Sequence, residues 1–131
     1  DGELVDSLKY FFSVMDAPEP DYSGVIGKTV AMSMDRPLGS THPKKKGLIY
    51  SVNYGYVKGI LGGDGAWQDA YLLGVDEPVK EFTGQVIAVF HRFDDVEDKW
   101  IVAADGMNFS DEEILGEIYF VEQFFYGKLY R

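Results

Sequence analysis

Two acidic stretches hold the side chains best suited to chemistry in this chain. Asp64-Gly65-Ala66-Trp67-Gln68-Asp69 pairs an Asp-Gly turn with two carboxylates five residues apart, and Asp94-Asp95-Val96-Glu97-Asp98 packs four carboxylates into five residues. Carboxylates this close repel one another and raise each other's pKa unless a cation neutralises them. Hard cations such as Mg²⁺ take carboxylate oxygens, keep several waters and bridge to substrate phosphates. Taken singly, each stretch also reads as a solvated turn. Opposite in charge, Arg36, Lys44, Lys45, Lys46, Lys58 and Arg92 are half of the twelve basic residues. Cations facing two acidic clusters suit a metal-bridged anion, although Lys44-Lys45-Lys46 on its own reads as a solvated run. Asn53-Tyr54-Gly55-Tyr56 puts phenols beside a glycine that permits close backbone or substrate approach.

Several chemistries are excluded. The chain has no cysteine, hence no disulfide scaffold, thiolate zinc site or cysteine nucleophile. His42 and His91 are the only histidines, and Ser40 lacks the strand-turn-helix setting of a hydrolase nucleophile. The glycines between Gly59 and Gly65 lack the spacing of a P-loop or a dinucleotide fingerprint. A net charge of −10 repels nucleic-acid phosphates and anionic lipid, so neither nucleic acid nor membrane is an expected partner. The opening Asp1-Gly2-Glu3 has no basic segment leading into an apolar one, which leaves a cytoplasmic protein as the expectation.

The elements that must carry these residues follow from periodicity. With 131 residues, 46% hydrophobic, the chain can form a packed core. Leu4, Leu8, Phe11, Phe12 and Met15 recur at helical spacing, and Pro18 and Pro20 end that pattern, so residues 1–20 read as an amphipathic arm ahead of one domain over residues 21–131. Val30, Met32 and Met34 alternate with smaller or polar residues as in a half-buried strand. Leu48–Tyr56, Ala70–Val75, Val86–Phe90 and Lys99–Ala104 are further strand-length runs, separated by glycine-rich turns. Ser110-Asp111-Glu112-Glu113 forms a capping box before the apolar stripe of Ile114, Leu115, Ile118, Tyr119, Val121 and Phe125, a helix expected to stop near Gly127. Short strands at close spacing with flanking helices imply a mainly β, α+β architecture built on a small barrel.

Five strings occur in one order: Asp35-Arg36-Pro37, Tyr50-Ser51-Val52-Asn53-Tyr54-Gly55-Tyr56, Asp64-Gly65-x-x-x-Asp69, Gly84-Gln85-Val86-Ile87 and Asp94-Asp95-x-x-Asp98-Lys99. In that order and spacing the chain resembles the soluble family I inorganic pyrophosphatases over roughly residues 28 to 125. The resemblance implies a five-stranded OB-type barrel, hydrolysis of diphosphate to two phosphates, Mg²⁺ (with Mn²⁺ as a substitute) and a homo-oligomer. It further implies Asp64, Asp69, Asp94 and Asp98 as metal ligands, with Asp95 where the family often has Glu. Tyr54 matches the tyrosine beside the nucleophilic water, and Asp35 stands where the family has the Glu of an E-x-P turn. Lys99 matches the lysine that follows the last acidic cluster. Arg36, Lys45, Arg92, Lys99 and His42 are the phosphate-binding candidates.

The departures are equally specific. Ala66 holds the middle aspartate position of the family's metal motif, and Trp67 replaces its proline. With that carboxylate missing, the base falls to Asp69 or Asp35. The segment between Asp35 and Tyr54 is shorter than in the family, so His42 and Lys44 to Lys46 take the space of its phosphate-binding residues. Glu122-Gln123-Phe124-Phe125 lies where the family has a phosphate-gripping Tyr-Lys pair. Three functions follow: a weak or altered diphosphatase, a degenerate module that holds a metal–phosphate ligand without turnover, and an oligomer-forming domain joined through the Leu4–Met15 stripe.

Overall fold

A computed structural model describes residues 20–95 and 97–131; the Leu4–Met15 stripe lies outside the described residues. Strands β1 (Thr29–Arg36), β2 (Asn53–Leu61), β3 (Trp67–Leu73), β4 (Glu81–Arg92) and β5 (Asp98–Ala103) are hydrogen-bonded in the order β1-β2-β3-β5-β4, and β1 also pairs with β4. The sheet therefore closes into a five-stranded barrel of OB type. All pairings in it are antiparallel except β3 with β5. Helix α1 (Asp111–Glu122) follows β5, and a short strand β6 (Gly127–Tyr130) adds to β4 outside the barrel.

Alternation along the strands feeds two apolar layers. Val30, Met32, Val57, Ala70, Leu72, Val86, Val89, Trp100 and Val102 come from all five barrel strands and form one cluster. Their neighbours Tyr54, Tyr71, Leu73, Ala88, Phe90 and Ile101 point the other way and pack with Ile114, Ile118 and Val121 of α1. Strands covered on both faces read as continuous apolar runs, as Ala70–Leu73 and Ile101–Ala103 do. The helix starts where the capping box puts it. Ser110 Oγ accepts the Glu113 N–H at 3.1 Å, and Glu113 Oε1 accepts the Ser110 N–H at 3.0 Å. Among the described residues, no helix is long and apolar enough to cross a membrane.

Three boundaries differ from the sequence expectation. Leu48–Val52 is not part of β2, which runs from Asn53 to Leu61; instead Tyr50 exchanges backbone hydrogen bonds with Gly39 and Ser40 across an irregular loop. The helix ends at Glu122 rather than near Gly127, because Phe124 and Phe125 turn tightly back onto the carbonyls of Val121 and Glu122. Gly127 serves close approach rather than helix termination: a Cβ there would strike the Phe90 ring and the His91 carbonyl. It opens β6, which four residues are too few to announce by pattern.

Candidate anion-binding site

A cavity of about 470 Å³ lies on the α1-facing side of the sheet, lined by residues of β1 to β5, the end of α1 and the loop between β1 and β2. Local sequence explains how each wall is placed. Gly55 lets β1 pass so close that any Cβ would collide with the Ser33 carbonyl, and β1 is irregular opposite it between Met34 and Arg36. Such an irregularity re-aims side chains, and Arg36 enters the cavity. The fully buried Asn53 accepts the N–H groups of Leu38 and Val79 and donates to the carbonyls of Val75 and Glu77. That one amide ties the start of the β1–β2 loop, which carries His42 and Lys45, to the β3–β4 connection.

One wall is acidic. Asp64 comes from the β2–β3 turn, Asp69 from β3, and Glu97 immediately precedes β5. Asp64 Oδ1 accepts the Ala66 N–H at 3.0 Å, which closes the turn. Glu97 and Asp64 are hydrogen-bonded through their carboxyls; this raises Glu97 above the usual carboxylate range and lowers Asp64. Beside this pair, the buried Lys99 ammonium donates to Asp69 Oδ2 at 2.7 Å, Glu97 Oε2 at 2.7 Å and the Tyr54 hydroxyl at 2.8 Å. Burial, reinforced by the Asp69 charge, pushes the Tyr54 phenol far up, so it stays protonated and acts as a donor.

The cavity's cations come from β1, the β1–β2 loop and β4. Arg36 donates to the Tyr50 hydroxyl at 2.6 Å and lies over the rings of Tyr54 and Tyr50. The His42 ring stacks parallel to Tyr50, and its Nδ1 accepts the backbone N–H groups of Lys44 and Lys45. With Nδ1 as acceptor, the ring proton is on Nε2. Partial burial, then Arg36, Lys45 and Lys44, hold the imidazole pKa below its ordinary value, so His42 is neutral at pH 7. Arg92 forms a forked pair with Glu122, 2.6 Å from Nε to Oε1 and 2.6 Å from Nη2 to Oε2. Tyr71 donates to the same carboxylate at 2.9 Å.

Of the candidates read from the sequence, Tyr54, Asp64, Asp69, Arg36, His42, Lys45, Arg92 and Lys99 line this one cavity. Asp35, Asp94 and Asp98 do not. Asp35 is raised by desolvation and lies in the field of Asp69 and Lys99. Asp94 accepts the Tyr126 N–H outside the site. Asp98 is next to Lys99 on β5 and faces the other side of the sheet, where His91 Nδ1 lies 2.6 Å and the Tyr22 hydroxyl 2.8 Å from its oxygens. The four aspartates therefore do not converge, and among the described residues no three acidic or imidazole groups are gathered to hold a metal ion. Two residues that matter went unread. Glu97 shares the Lys99 face because it stands two positions before it, and a period of two was the available signal. Glu122 sits in the apolar stripe of α1, where a carboxylate demands a buried partner.

Structural comparison shows what this architecture is similar to. An inorganic pyrophosphatase from Ehrlichia chaffeensis superimposes with a TM-score of 0.64 at 13% identity, covering 88% of this chain and 91% of the other. The enzyme from Thermus thermophilus gives 0.57 at 14% identity over 88% and 86%, and that from Neisseria gonorrhoeae 0.55 at 17% over 76% and 79%. The chain has the fold of the inorganic pyrophosphatases. By sequence, no family model and no curated protein matches it. With identities this low the likeness concerns the fold, and function must be argued from the site.

Proposed function

We propose that the cavity binds diphosphate as its magnesium complex and hydrolyses it slowly to two phosphates. The observation that carries this reading is one cavity lined both by the cations Arg36, Lys45 and Arg92 and by the carboxylates Asp64, Glu97 and Asp69. The donor set fits Mg²⁺ that arrives with the anion. Mg²⁺ needs only one or two carboxylates when phosphate oxygens and waters complete its shell. Asp64 and Glu97 both line the cavity, and the Asp64 hydrogen bond raises Glu97; a divalent cation would take the place of the Glu97 proton. Bound there, Mg²⁺ would offset the anion's charge and make a water more acidic.

The chain's own residues supply the rest. The guanidinium groups of Arg36 and Arg92 stabilise charge on the leaving phosphate by directed N–H donation. Neutral His42 presents Nε2–H as a further donor. Tyr54 orients a water or phosphate oxygen through its protonated phenol. Asp69, held by Lys99 at 2.7 Å, is the proton acceptor, since Asp35 does not line the cavity. Ala66 leaves the site one carboxylate short, and loss of a general base typically costs about 10²- to 10⁴-fold in rate. The test is phosphate release from diphosphate with and without Mg²⁺, against an Asp69→Ala control. Release no faster than the control rejects hydrolysis.

A second reading is favoured by one observation: the Lys99 ammonium already neutralises Asp69 and Glu97. In this reading the cavity holds the metal–phosphate ligand without turnover. Calorimetric binding with no phosphate release selects it. For residues 1–20 we propose a separate arm that joins copies of the chain; its removal should then change the mass found by light scattering.

A further inference from the structure

The turn after α1 backs two of the cavity's cations with aromatic faces. The Arg92 guanidinium lies 3.6 Å from the centre of the Phe125 ring, and the Lys45 ammonium lies 4.0 Å from the centre of the Phe124 ring. These consecutive phenylalanines thus serve cations from separate elements, the end of β4 and the β1–β2 loop. Arg92 needs little help, being forked onto Glu122. Lys45 differs: its residue is exposed, and among the described residues no carboxylate forms an ion pair with it. Phe124 is itself 51% exposed, so its ring contributes little to the core.

Building on the reading of the cavity as a diphosphate site, we infer that Phe124 is a positioning residue whose ring holds the Lys45 ammonium over the cavity for the terminal phosphate of the anion. A lysine side chain on a loop loses considerable rotamer freedom when it closes on a ligand. Holding it beforehand removes part of that cost from binding. The geometry suits the task, because an ammonium on a ring face keeps donors turned away from the ring and available to phosphate oxygens. An exposed cation–π contact has the strength to change affinity by about two- to fivefold.

The experiment is calorimetric titration of the full chain with magnesium diphosphate, comparing wild type with Phe124→Leu, Phe124→Tyr, Lys45→Ala and the double variant Lys45→Ala/Phe124→Leu. Phe124→Leu should weaken binding about two- to fivefold, and Phe124→Tyr, which keeps the ring face, should stay within about twofold of wild type. On the Lys45→Ala background the leucine substitution should have no further effect, since the two side chains then have nothing left to couple. If wild type binds but Phe124→Leu matches it, the inference fails alone. It also fails alone if the leucine substitution weakens binding equally with and without Lys45. If wild type gives no binding heat, the diphosphate reading itself fails and takes the inference with it.

Discussion

Replacing Glu122 with alanine should be among the most damaging single changes in the protein. The side chains of Glu122 and Arg92 are 4% and 6% exposed, and the carboxylate accepts from Arg92 Nε and Nη2 and from the Tyr71 hydroxyl. Alanine leaves the buried guanidinium with only the looser contacts to Asp95 at 3.4 Å and Glu97 at 4.0 Å, and leaves the buried Tyr71 phenol without its acceptor. Removing one partner of a buried ion pair costs about 3–5 kcal/mol, because the other charge stays buried without its best-placed counterpart. For a chain of this size that corresponds to a fall in Tm of roughly 10–20 °C. Removing both partners is a different perturbation. In Glu122→Ala/Arg92→Ala no orphaned charge is left, and the double variant should be clearly more stable than the sum of the single losses implies. Urea unfolding of wild type, both single variants and the double variant measures the coupling directly. A loss below about 1 kcal/mol for Glu122→Ala, the level of an exposed pair, would refute the reasoning. So would strict additivity of the two substitutions.

Two further outcomes follow from the site. Ala66→Asp restores a third carboxylate to the Asp64–Asp69 turn on an exposed position, and should raise Mg²⁺-dependent phosphate release by about 10²-fold, the low end of the range for a general base; initial rates measure it. The folded pKa of Glu97 is raised by the Asp64 hydrogen bond and by burial. Between its ordinary value near 4.5 and that raised value it stays protonated, and a cation must displace the proton. Mg²⁺ affinity should therefore increase as pH rises through this window, and the increase should vanish in Glu97→Gln; calorimetry at several pH values between 4.5 and 7.5 decides it.

Much of the fold is legible in the sequence because burial leaves a period. Val30 and Met32 mark the inward face of β1, and the continuous runs Ala70–Leu73 and Ile101–Ala103 mark strands covered on both sides. The capping box places the start of α1 to the residue. Its end is harder to read, because Phe125 continues the apolar stripe while the backbone has already turned, and its ring is committed to Arg92 rather than to a further helical turn. Within the site, residue types marked the chemistry and geometry selected among them. Asp94, Asp95, Glu97 and Asp98 are chemically similar, yet only strand direction distinguishes Glu97, on the Lys99 side, from Asp98, on the His91 side. The pairing of Glu122 with Arg92 spans thirty residues, a separation at which no local pattern operates.

Everything proposed for the site depends on one cavity that takes a magnesium-bound phosphoanhydride among its cationic and acidic side chains. Titrating the wild-type chain with diphosphate by calorimetry, with and without millimolar Mg²⁺, tests this most directly. The account predicts saturable one-site binding that strengthens when Mg²⁺ is present and weakens in Arg36→Ala. No binding heat in either condition, or binding that is indifferent to both Mg²⁺ and Arg36, would contradict it.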